Sequence, residues 1–339
     1  MKKYNKSILF LLCLSLPLSA STCLLKTIYG EYEITEQVLI GLLQDPYFQR
    51  LEHIRQYGVD YYAIKPTEYT RAEHSKGVLV LLKRYGASLQ EQVAGLLHDV
   101  SHTVFSHVGD SVFDHQNSES SYQDDIHHWF LKQTTIPGIL HIYCYSIVDI
   151  HHKNPAFTCL ESHLPDLCAD RIEYNLMGGY LEGLITRHEI LELLNHLHFE
   201  NHTWYFDEAV YAKKLAEISL YLTENVWSSP QGKWVDYWAA QALKKAVQSN
   251  SITFNEIHFG FDDEIWQKLT TCSDEYVQQC LDKLKNYKSY SLSDMPFMPG
   301  KFRGVNPWVQ TSHGLQRLTA IDESFKNIYE HSKKRYKKV

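Results

Sequence analysis

Apolar residues recur along much of the chain at the three- and four-residue spacing of a helix with one buried face. This spacing predicts helices over residues 36–43, 71–85, 190–197, 208–222 and 233–247. Proline follows the first of these stretches and is expected to end it. The pattern indicates a mainly α fold built as a helical bundle.

Polar residues mark where two predicted helices begin. Ser88 and Glu91 have the spacing of a capping box, in which each side chain binds the backbone N–H of the other residue, and so do Thr186 and Glu189. The first box is predicted to open a further helix that runs toward His98. Gly86, just before it, is placed to end the preceding helix.

One stretch departs from helical spacing and alternates between apolar and polar residues. Residues 197–206 alternate in this way around Asn201, and they are the one clear strand signal in the sequence. They predict a small β-hairpin. Residues 289–307 are rich in proline and glycine, which predicts a long surface loop or appendage.

The first 21 residues have the layout of a secretory signal peptide. Lys2, Lys3 and Lys6 precede an apolar run over residues 8–16, and small residues follow at 19–21. We expect a periplasmic or secreted protein if this segment is cleaved and a cytoplasmic one otherwise. The alternative is that the segment forms a buried first helix of the fold. No later apolar run is long enough to cross a bilayer.

Composition and charge narrow the range of partners. Hydrophobic residues make up 44% of the 339 and charged residues 22%, as in an ordinary globular protein. Loss of the three lysines at the start would change the formal net charge from −7 to −10, which argues against a stable nucleic-acid or membrane partner. A small phosphorylated substrate fits this charge better, and homo-oligomer formation is left open. The seven cysteines include no C-x-x-C pair, so no disulfide framework is indicated.

The most informative chemistry begins with His98 and Asp99 at the end of a predicted buried helix. Neighbouring residues on a helix project about 100° apart, so two such donors can meet one cation from two sides. A His-Asp pair alone is weak evidence. His74 on the preceding predicted helix and Asp170 downstream add an imidazole and a carboxylate in a suggestive order.

Three longer strings around these residues carry a resemblance to a known family. They are TRxEHSxGV around His74, LLHDxSHxxFSH around His98 and ADRxxY around Asp170. In this order they resemble the HD-domain phosphohydrolase superfamily, and closely its deoxynucleotide triphosphohydrolase branch, over about residues 49–176. The resemblance implies an HD-domain helical bundle over residues 22–200, with residues 201–339 as a helical C-terminal extension packed on it.

The resemblance also implies that His74, His98, Asp99 and Asp170 ligate one divalent metal ion. Two imidazoles and two carboxylates suit Mn, Fe, Mg, Ni or Zn, and the sequence does not choose among them. Such an ion polarises a phosphate and activates a water molecule. The expected activity is hydrolysis of a phosphate ester or anhydride in a nucleotide-like substrate.

Three residues are candidates for binding the substrate phosphate. Arg71 precedes His74 by three residues, which places both on one helical face, so its guanidinium can hold a phosphate at the metal. Arg171 and Tyr174 match phosphate-contacting positions of the related branch. The alternative is that they are a surface arginine and a half-buried tyrosine.

Three more residues are candidates for catalysis. His102 follows His98 by four residues and is expected on the same helical face, where it could protonate the leaving oxygen. HD nucleotidases that act on monophosphates typically have glutamate here, so the resemblance favours the polyphosphate branch. His107 and Asp110 match the pattern HxxD, and Asp110 is expected to accept the second N–H of His102. Packing of His107 against Phe105 is an equal alternative.

The chain also departs from the family pattern. The relatives place a His-Glu pair on the next helix, where this sequence has Tyr-Gln-Asp-Asp at residues 122–125, and they have a second aspartate near Gly178. Two alternatives follow. The protein could bind metal and nucleotide only as a sensor or scaffold, or His98 to His102 could be a shortened H-E-x-x-H zinc peptidase motif.

Overall fold

The computed structural model describes residues 22–115, 120–291 and 300–336. The predicted signal peptide lies outside these ranges. Within them, the longest helices are too polar or too short to span a bilayer.

Helices make up most of the described chain, with six short strands among them. Short 3₁₀ segments at Arg50–His53 and Tyr287–Ser289 and a π-helical turn at Thr223–Trp227 complete the regular structure. The elements are α1 (Gln37–Leu43), α2 (Pro46–Gln49), α3 (Asp60–Ala63), α4 (Arg71–Arg84), α5 (Leu89–Leu97), α6 (Val108–Val112), α7 (Tyr122–Lys132), α8 (Ile136–Ile142), α9 (Ala169–Leu181), α10 (Arg187–Asn195), α11 (Ala209–Leu222), α12 (Pro230–Gln248), α13 (Phe254–Phe259), α14 (Asp262–Thr271), α15 (Glu275–Lys285), α16 (Leu318–Ile321) and α17 (Glu323–Tyr336), with strands β1 (Cys23–Thr27), β2 (Gly30–Ile34), β3 (Leu197–Glu200), β4 (Thr203–Phe206), β5 (Trp308–Thr311) and β6 (Gly314–Arg317).

The mainly α fold and the hairpin are both confirmed. Each predicted helix has a counterpart that agrees to within a few residues, namely α1, α4, α10, α11 and α12. The hairpin is β3 and β4, whose two turn residues Asn201 and His202 have left-handed backbone angles, with φ of 48° and 62°. Gly86 follows α4 with a φ of 73°, as expected of a residue that ends a helix.

The two predicted capping boxes have different outcomes. Thr186 and Glu189 form theirs in full. Ser88 caps α5 by accepting the N–H of Glu91, but the reciprocal half of that box is absent. The Glu91 carboxylate instead accepts the N–H groups of Cys159 and Leu160 at 2.8 and 2.9 Å, because these buried donors need an acceptor. The prediction of a complete box at Ser88 was wrong.

Four strands had no clear signal in the sequence. β1 and β2 form an antiparallel pair at the start of the described chain. β5 and β6 extend the hairpin into a sheet of order β3-β4-β5-β6, in which β4 and β5 run parallel. This sheet joins residues that are far apart in the sequence.

The predicted long loop over residues 289–307 is only partly at the surface. Residues 292–299 lie outside the described ranges. Residues 300–307, called here the 300–307 segment, have no regular structure, yet Val305 is fully buried and Asn306 is 8% exposed. The prediction of a surface loop was wrong for residues 304–307, which are buried, whereas Lys301 is exposed.

The site is positioned by three closely packed helices, α4, α5 and α9. Glycines permit the close approach: a Cβ on Gly95 of α5 would come 2.3 Å from Leu82 Cδ1 of α4, and one on Gly77 of α4 would come 2.4 Å from Glu173 Oε1 of α9. The start of α9 and the end of α5 therefore meet beside α4.

Later parts of the chain hold the turn that follows α5. The Asp262 carboxylate accepts the N–H of Phe105 at 2.7 Å and that of Arg55 at 2.8 Å, and Val104 N–H binds the Ile257 carbonyl. The suggested boundary between residues 200 and 201 falls in the turn between β3 and β4. Division of the chain there stays a prediction.

Candidate metal centre

Four side chains from separate parts of the chain converge on one point. The Nε2 atoms of His74 on α4 and His98 at the end of α5 lie 3.2 Å apart. Asp170 Oδ1, at the start of α9, is 2.9 Å from His74 Nε2 and 3.5 Å from His98 Nε2. Asp99 Oδ1 is 3.5 Å from His98 Nε2, and the donor atoms of His74, His98 and Asp99 all lie within 4.8 Å of one another. The structure brings together all four residues expected to be ligands.

The orientation of the two imidazoles fits a cation between them. His98 Nδ1 lies 2.7 Å from the Gly95 carbonyl, and His74 Nδ1 lies 2.5 Å from Glu173 Oε2. Because both partners are acceptors, both Nδ1 atoms donate, and the Nε2 lone pairs point toward each other. Lone pairs 3.2 Å apart need a positive charge between them, which a proton on His74 supplies without a metal and a divalent cation supplies when one is bound. The donor set therefore fits one divalent metal ion, without distinguishing Mn, Fe, Mg, Ni and Zn.

Negative charge in the site points to the same conclusion. Burial by itself lowers the pKa of His74, but the Glu173 charge and the hydrogen bond to Asp170 outweigh it and raise the pKa to about 10. Burial raises the pKa of Asp99, yet the Arg71 charge and neighbouring imidazoles hold it well below its usual range. Ionised carboxylates thus surround the imidazoles and attract a cation.

Arg71 is fixed against the predicted ligands. Its Nη1 lies 2.7 Å from Asp99 Oδ2, and its Nε donates to Ser106 Oγ at 3.0 Å. The side chain is 5% exposed. It orients one carboxylate of the site, and its predicted contact with the substrate phosphate stays a prediction.

His102 reaches the site in a different way from the one predicted. Helix α5 ends at Leu97, and His102 follows in a turn whose backbone N–H binds the Asp99 carbonyl at 3.0 Å. The expectation that His98 and His102 share a helical face was wrong, and a zinc peptidase motif needs that shared face. His102 Nε2 nevertheless lies 3.2 Å from Asp99 Oδ1. Burial and the charge of Arg71 lower the pKa of His102 to about 3, so its ring is neutral.

Asp110 orients His107 rather than His102. Asp110 Oδ2 is 3.4 Å from His107 Nδ1, and Oδ1 accepts the Tyr122 N–H at 2.7 Å. His102 Nδ1 has no hydrogen-bond partner among the described residues, so the predicted bond from Asp110 was wrong. The His107 ring stands edge-on to that of His102, 5.1 Å between centroids. His107 is 46% exposed and is not packed away in the core.

Phe105, the alternative packing partner of His107, has other contacts. It packs edge-on against Tyr62 and Trp266. It also has a left-handed φ of 56°, as does Ser106 with 54°. The hydrogen bond from the Phe105 N–H to Asp262 holds this turn and, through Ser106 Oγ, places an acceptor for Arg71.

Arg171 and Tyr174 lie on α9 beyond Asp170. Arg171 is 9% exposed, so it is not a surface arginine, and its guanidinium donates to the carbonyls of Ser162 and Asp166. Tyr174 is half-buried, as the alternative expected, and stands edge-on to Trp227 at 5.0 Å. Their contacts with phosphate stay predictions.

The acidic residues of α7 have partners other than the metal-site residues. Asp124 pairs with Lys153 at 3.2 Å and with His152 at 3.4 Å. Asp125 lies 2.9 Å from His115 Nε2. The described contacts thus give no support for these carboxylates replacing the His-Glu pair of the relatives.

Sequence reasoning missed Glu173, which is 2% exposed behind the metal site. Its carboxylate binds His74 Nδ1 and accepts hydrogen bonds from the hydroxyls of Tyr69 at 2.5 Å and Tyr29 at 3.1 Å. A signal was present, because Glu173 follows Asp170 by three residues and so lies near the same helical face. Asp262 was missed as well, and its distance along the sequence gave no signal.

Comparison with known proteins agrees with this geometry. The family model of the HD domain matches residues 71–154. The uncharacterized protein YdhJ of Bacillus subtilis is 31% identical over 319 residues, covering 91% of this chain and 95% of that protein. The metal-dependent phosphohydrolase cns2 of Cordyceps militaris is 31% identical over 270 residues, covering 76% of each.

A shorter match is to the deoxynucleoside triphosphate triphosphohydrolase SAMHD1 of Bos taurus. It is 36% identical over 101 residues, which cover 25% of this chain and 17% of that protein. The long match to cns2, together with the HD family model and the four converging side chains, identifies the chain as a member of the HD family of metal-dependent phosphohydrolases.

Proposed function

We propose that the protein hydrolyses a phosphate ester or anhydride of a nucleotide-like substrate. The observation that carries the proposal is the convergence of two imidazole Nε2 atoms and two carboxylates beside His102. The resemblance to a deoxynucleoside triphosphate triphosphohydrolase supports a nucleotide as the substrate.

The ligands proposed for the metal are His74, His98, Asp99 and Asp170. When bound, the divalent ion supplies Lewis-acid polarisation of a phosphate and lowers the pKa of a water molecule. Arg71 orients the Asp99 carboxylate through its 2.7 Å contact, and Glu173 fixes the ring of His74 through Nδ1. These contacts hold the donors in place before substrate arrives, which lowers the reorganisation needed for reaction.

Two histidines beside the site, one buried and one half-exposed, differ in their capacity for proton transfer. His102 is neutral, and its one N–H points to Asp99 Oδ1 at 3.2 Å, so this histidine orients the carboxylate and has no second proton to give. His107 is half-exposed, and Asp110 lies beside its Nδ1, which suits a histidine that delivers a proton from Nε2 to the leaving oxygen. We assign His107 and Asp110 to proton transfer and His102 to orienting Asp99.

A second candidate function is a sensor or scaffold that binds metal and nucleotide without turnover. The ion pairs of Asp124 with His152 and Lys153 favour it, because this carboxylate of α7 is then not free to replace the His-Glu pair of the relatives.

A panel of nucleotides separates these functions. Mono-, di- and triphosphates are incubated with the protein in Mn, Mg, Fe or Ni, with Asp99→Ala as the control. Release of intact triphosphate supports a triphosphohydrolase, and release of orthophosphate supports a nucleotidase or pyrophosphatase. Nucleotide binding without product from a metal-loaded protein would leave the sensor as the function.

A further inference from the structure

The 300–307 segment is held by hydrogen bonds to α11 and to the loop that leads into α9, the helix that carries Asp170. The Arg303 carbonyl accepts a hydrogen bond from Ser219 Oγ of α11 at 3.1 Å, and the Lys301 carbonyl accepts one from Ser228 Oγ at 3.4 Å. On the other side, Asn306 N–H binds the Pro165 carbonyl at 3.0 Å. The backbone is thereby held between α11 and the loop that leads into α9.

Two side chains of this segment are cations that have no counter-ion among the described residues. Lys301 Nζ and the Arg303 guanidinium have no ion pair or hydrogen bond within the described parts of the chain. Arg303 is half-buried and Lys301 is exposed. The backbone of the segment is thus fixed by hydrogen bonds, while the positive charges of Lys301 and Arg303 are not paired with described carboxylates.

The neighbours of these cations are mainly other cations. Burial lowers the pKa of Lys301, and the positive charges of Arg303, Lys153 and Arg171 lower it further, against the opposing charge of Asp124. Asp124 is already paired with His152 and Lys153. The charges of Glu161 and Asp170 act on Arg171 and offset its own. The cluster keeps an excess of positive charge at its outer side.

This cluster lies next to the metal site along α9. Arg171 directly follows Asp170, and its guanidinium donates to the Asp166 carbonyl, next to the Pro165 carbonyl that accepts the Asn306 N–H. Arg303 also lies close enough to Tyr174 for its charge to act on that hydroxyl. Tyr174 follows Asp170 by four residues, about 6 Å along the helix axis. The outer phosphorus atoms of a chain with two bridging oxygens span a comparable distance.

We propose that Arg303 and Lys301, assisted by Lys153, bind a second phosphate group of the substrate while the first is at the metal. The inference rests on the proposed function and deepens it, because it selects substrates with two or more phosphates. The second phosphate belongs either to a polyphosphate chain or to another hydroxyl of the same nucleotide. A guanidinium suits it because its N–H groups can bind two phosphate oxygens at once.

The binding test uses inorganic tripolyphosphate and orthophosphate, titrated calorimetrically into the metal-loaded protein. Arg303→Gln is expected to raise the Kd for tripolyphosphate about ten- to a hundredfold, since it removes charge-assisted hydrogen bonds, and to change that for orthophosphate by less than about twofold. Arg303→Lys should retain part of the affinity. Lys213→Gln, which removes a lysine already paired with Asp322 at 2.8 Å, is the matched control and should change neither Kd.

Lys301→Gln tests the same prediction at an exposed residue that folding does not require, with a smaller rise of about three- to tenfold expected from loss of one charge. KM values for a nucleoside monophosphate, the triphosphate and a 3′,5′-bisphosphate then identify the source of the second phosphate. A KM rise confined to the triphosphate indicates a chain, and one confined to the bisphosphate indicates a second hydroxyl.

Unchanged tripolyphosphate affinity in both variants, or equal losses for tripolyphosphate and orthophosphate, would overturn the inference. Failure of the proposed function has a different signature. The wild-type protein would then hydrolyse no nucleotide, while the calorimetric difference between wild type and Arg303→Gln would persist.

Discussion

Replacing Asp262 by alanine tests whether a residue remote in sequence supports the metal site. Its two carboxylate oxygens accept the N–H groups of Phe105 and Arg55 at 2.7 and 2.8 Å, and the residue is fully buried. Alanine would leave both donors without an acceptor. The turn that carries Ser106, and with it the hydrogen bond to Arg71, would lose its main external support.

The expected loss in the free energy of unfolding follows from the two N–H groups that would have no acceptor. A buried N–H without a partner costs about 1–3 kcal/mol, so Asp262→Ala is expected to lower the free energy of unfolding by about 2–6 kcal/mol. Asp262→Asn keeps one acceptor oxygen and should lose about half as much. Urea unfolding monitored by circular dichroism would show the loss as a lower midpoint at an unchanged slope.

Asp263 is the matched control for this prediction. Its side chain is 62% exposed and lies 3.5 Å from Arg55 Nη2, so Asp263→Ala should cost less than about 1 kcal/mol. Equal losses at the two positions would refute the reasoning.

The pH dependence of the free energy of unfolding gives a second test of the role of Asp262. Burial raises the pKa of this carboxyl to about 7, against hydrogen bonds and charges that lower it. The folded state then holds a proton that the unfolded chain releases near pH 4, so the contribution of Asp262 to stability is full below about pH 4 and is lost as the pH rises through about 7. Asparagine does not titrate. The difference in unfolding free energy between wild type and Asp262→Asn should therefore narrow from pH 4 to pH 7, and a widening difference would contradict the assignment.

Three further outcomes are expected around the metal ligands. Glu173→Gln should weaken metal binding about ten- to a hundredfold, as measured by competition with a chelating dye, because the amide is a poorer acceptor for Nδ1 of His74. Gly77→Ala should lower the melting temperature and metal affinity together, since its Cβ would lie 2.4 Å from Glu173 Oε1, whereas Gly138→Ala meets nothing within 4 Å and should leave both unchanged. Asp170→Asn should purify with less than about a tenth of the wild-type metal content by elemental analysis, and full metal content in this variant would remove Asp170 from the ligand set.

The metal-site residues that the sequence predicted correctly are those with informative neighbours in the chain. His98 and Asp99 are adjacent, and the strings around His74 and Asp170 resemble known motifs, so their convergence could be predicted. Local spacing failed for His102, because the spacing rule assumes a continuous helix and α5 ends at Leu97.

Other failures arose from partners that are distant in the sequence. Glu91 has the spacing of a capping box, but its carboxylate accepts hydrogen bonds from buried N–H groups almost seventy residues later in the chain. Strand β5 is four residues long and pairs with β4, about a hundred residues earlier, and β6 pairs in turn with β5. Such competition between local and remote acceptors leaves no periodic pattern in the sequence.

The parallel pairing of β4 with β5 has a consequence for synthesis on the ribosome. β4 ends at Phe206 and β5 begins at Trp308, so translation at about 5–20 residues per second separates them by roughly 5–20 seconds. During that interval the nascent chain already contains every proposed metal ligand, but the free edge of β4 has no strand to bind. An unpaired edge is a template for aggregation, so chains terminated prematurely before Trp308 should be insoluble or chaperone-bound although their metal-binding residues are complete.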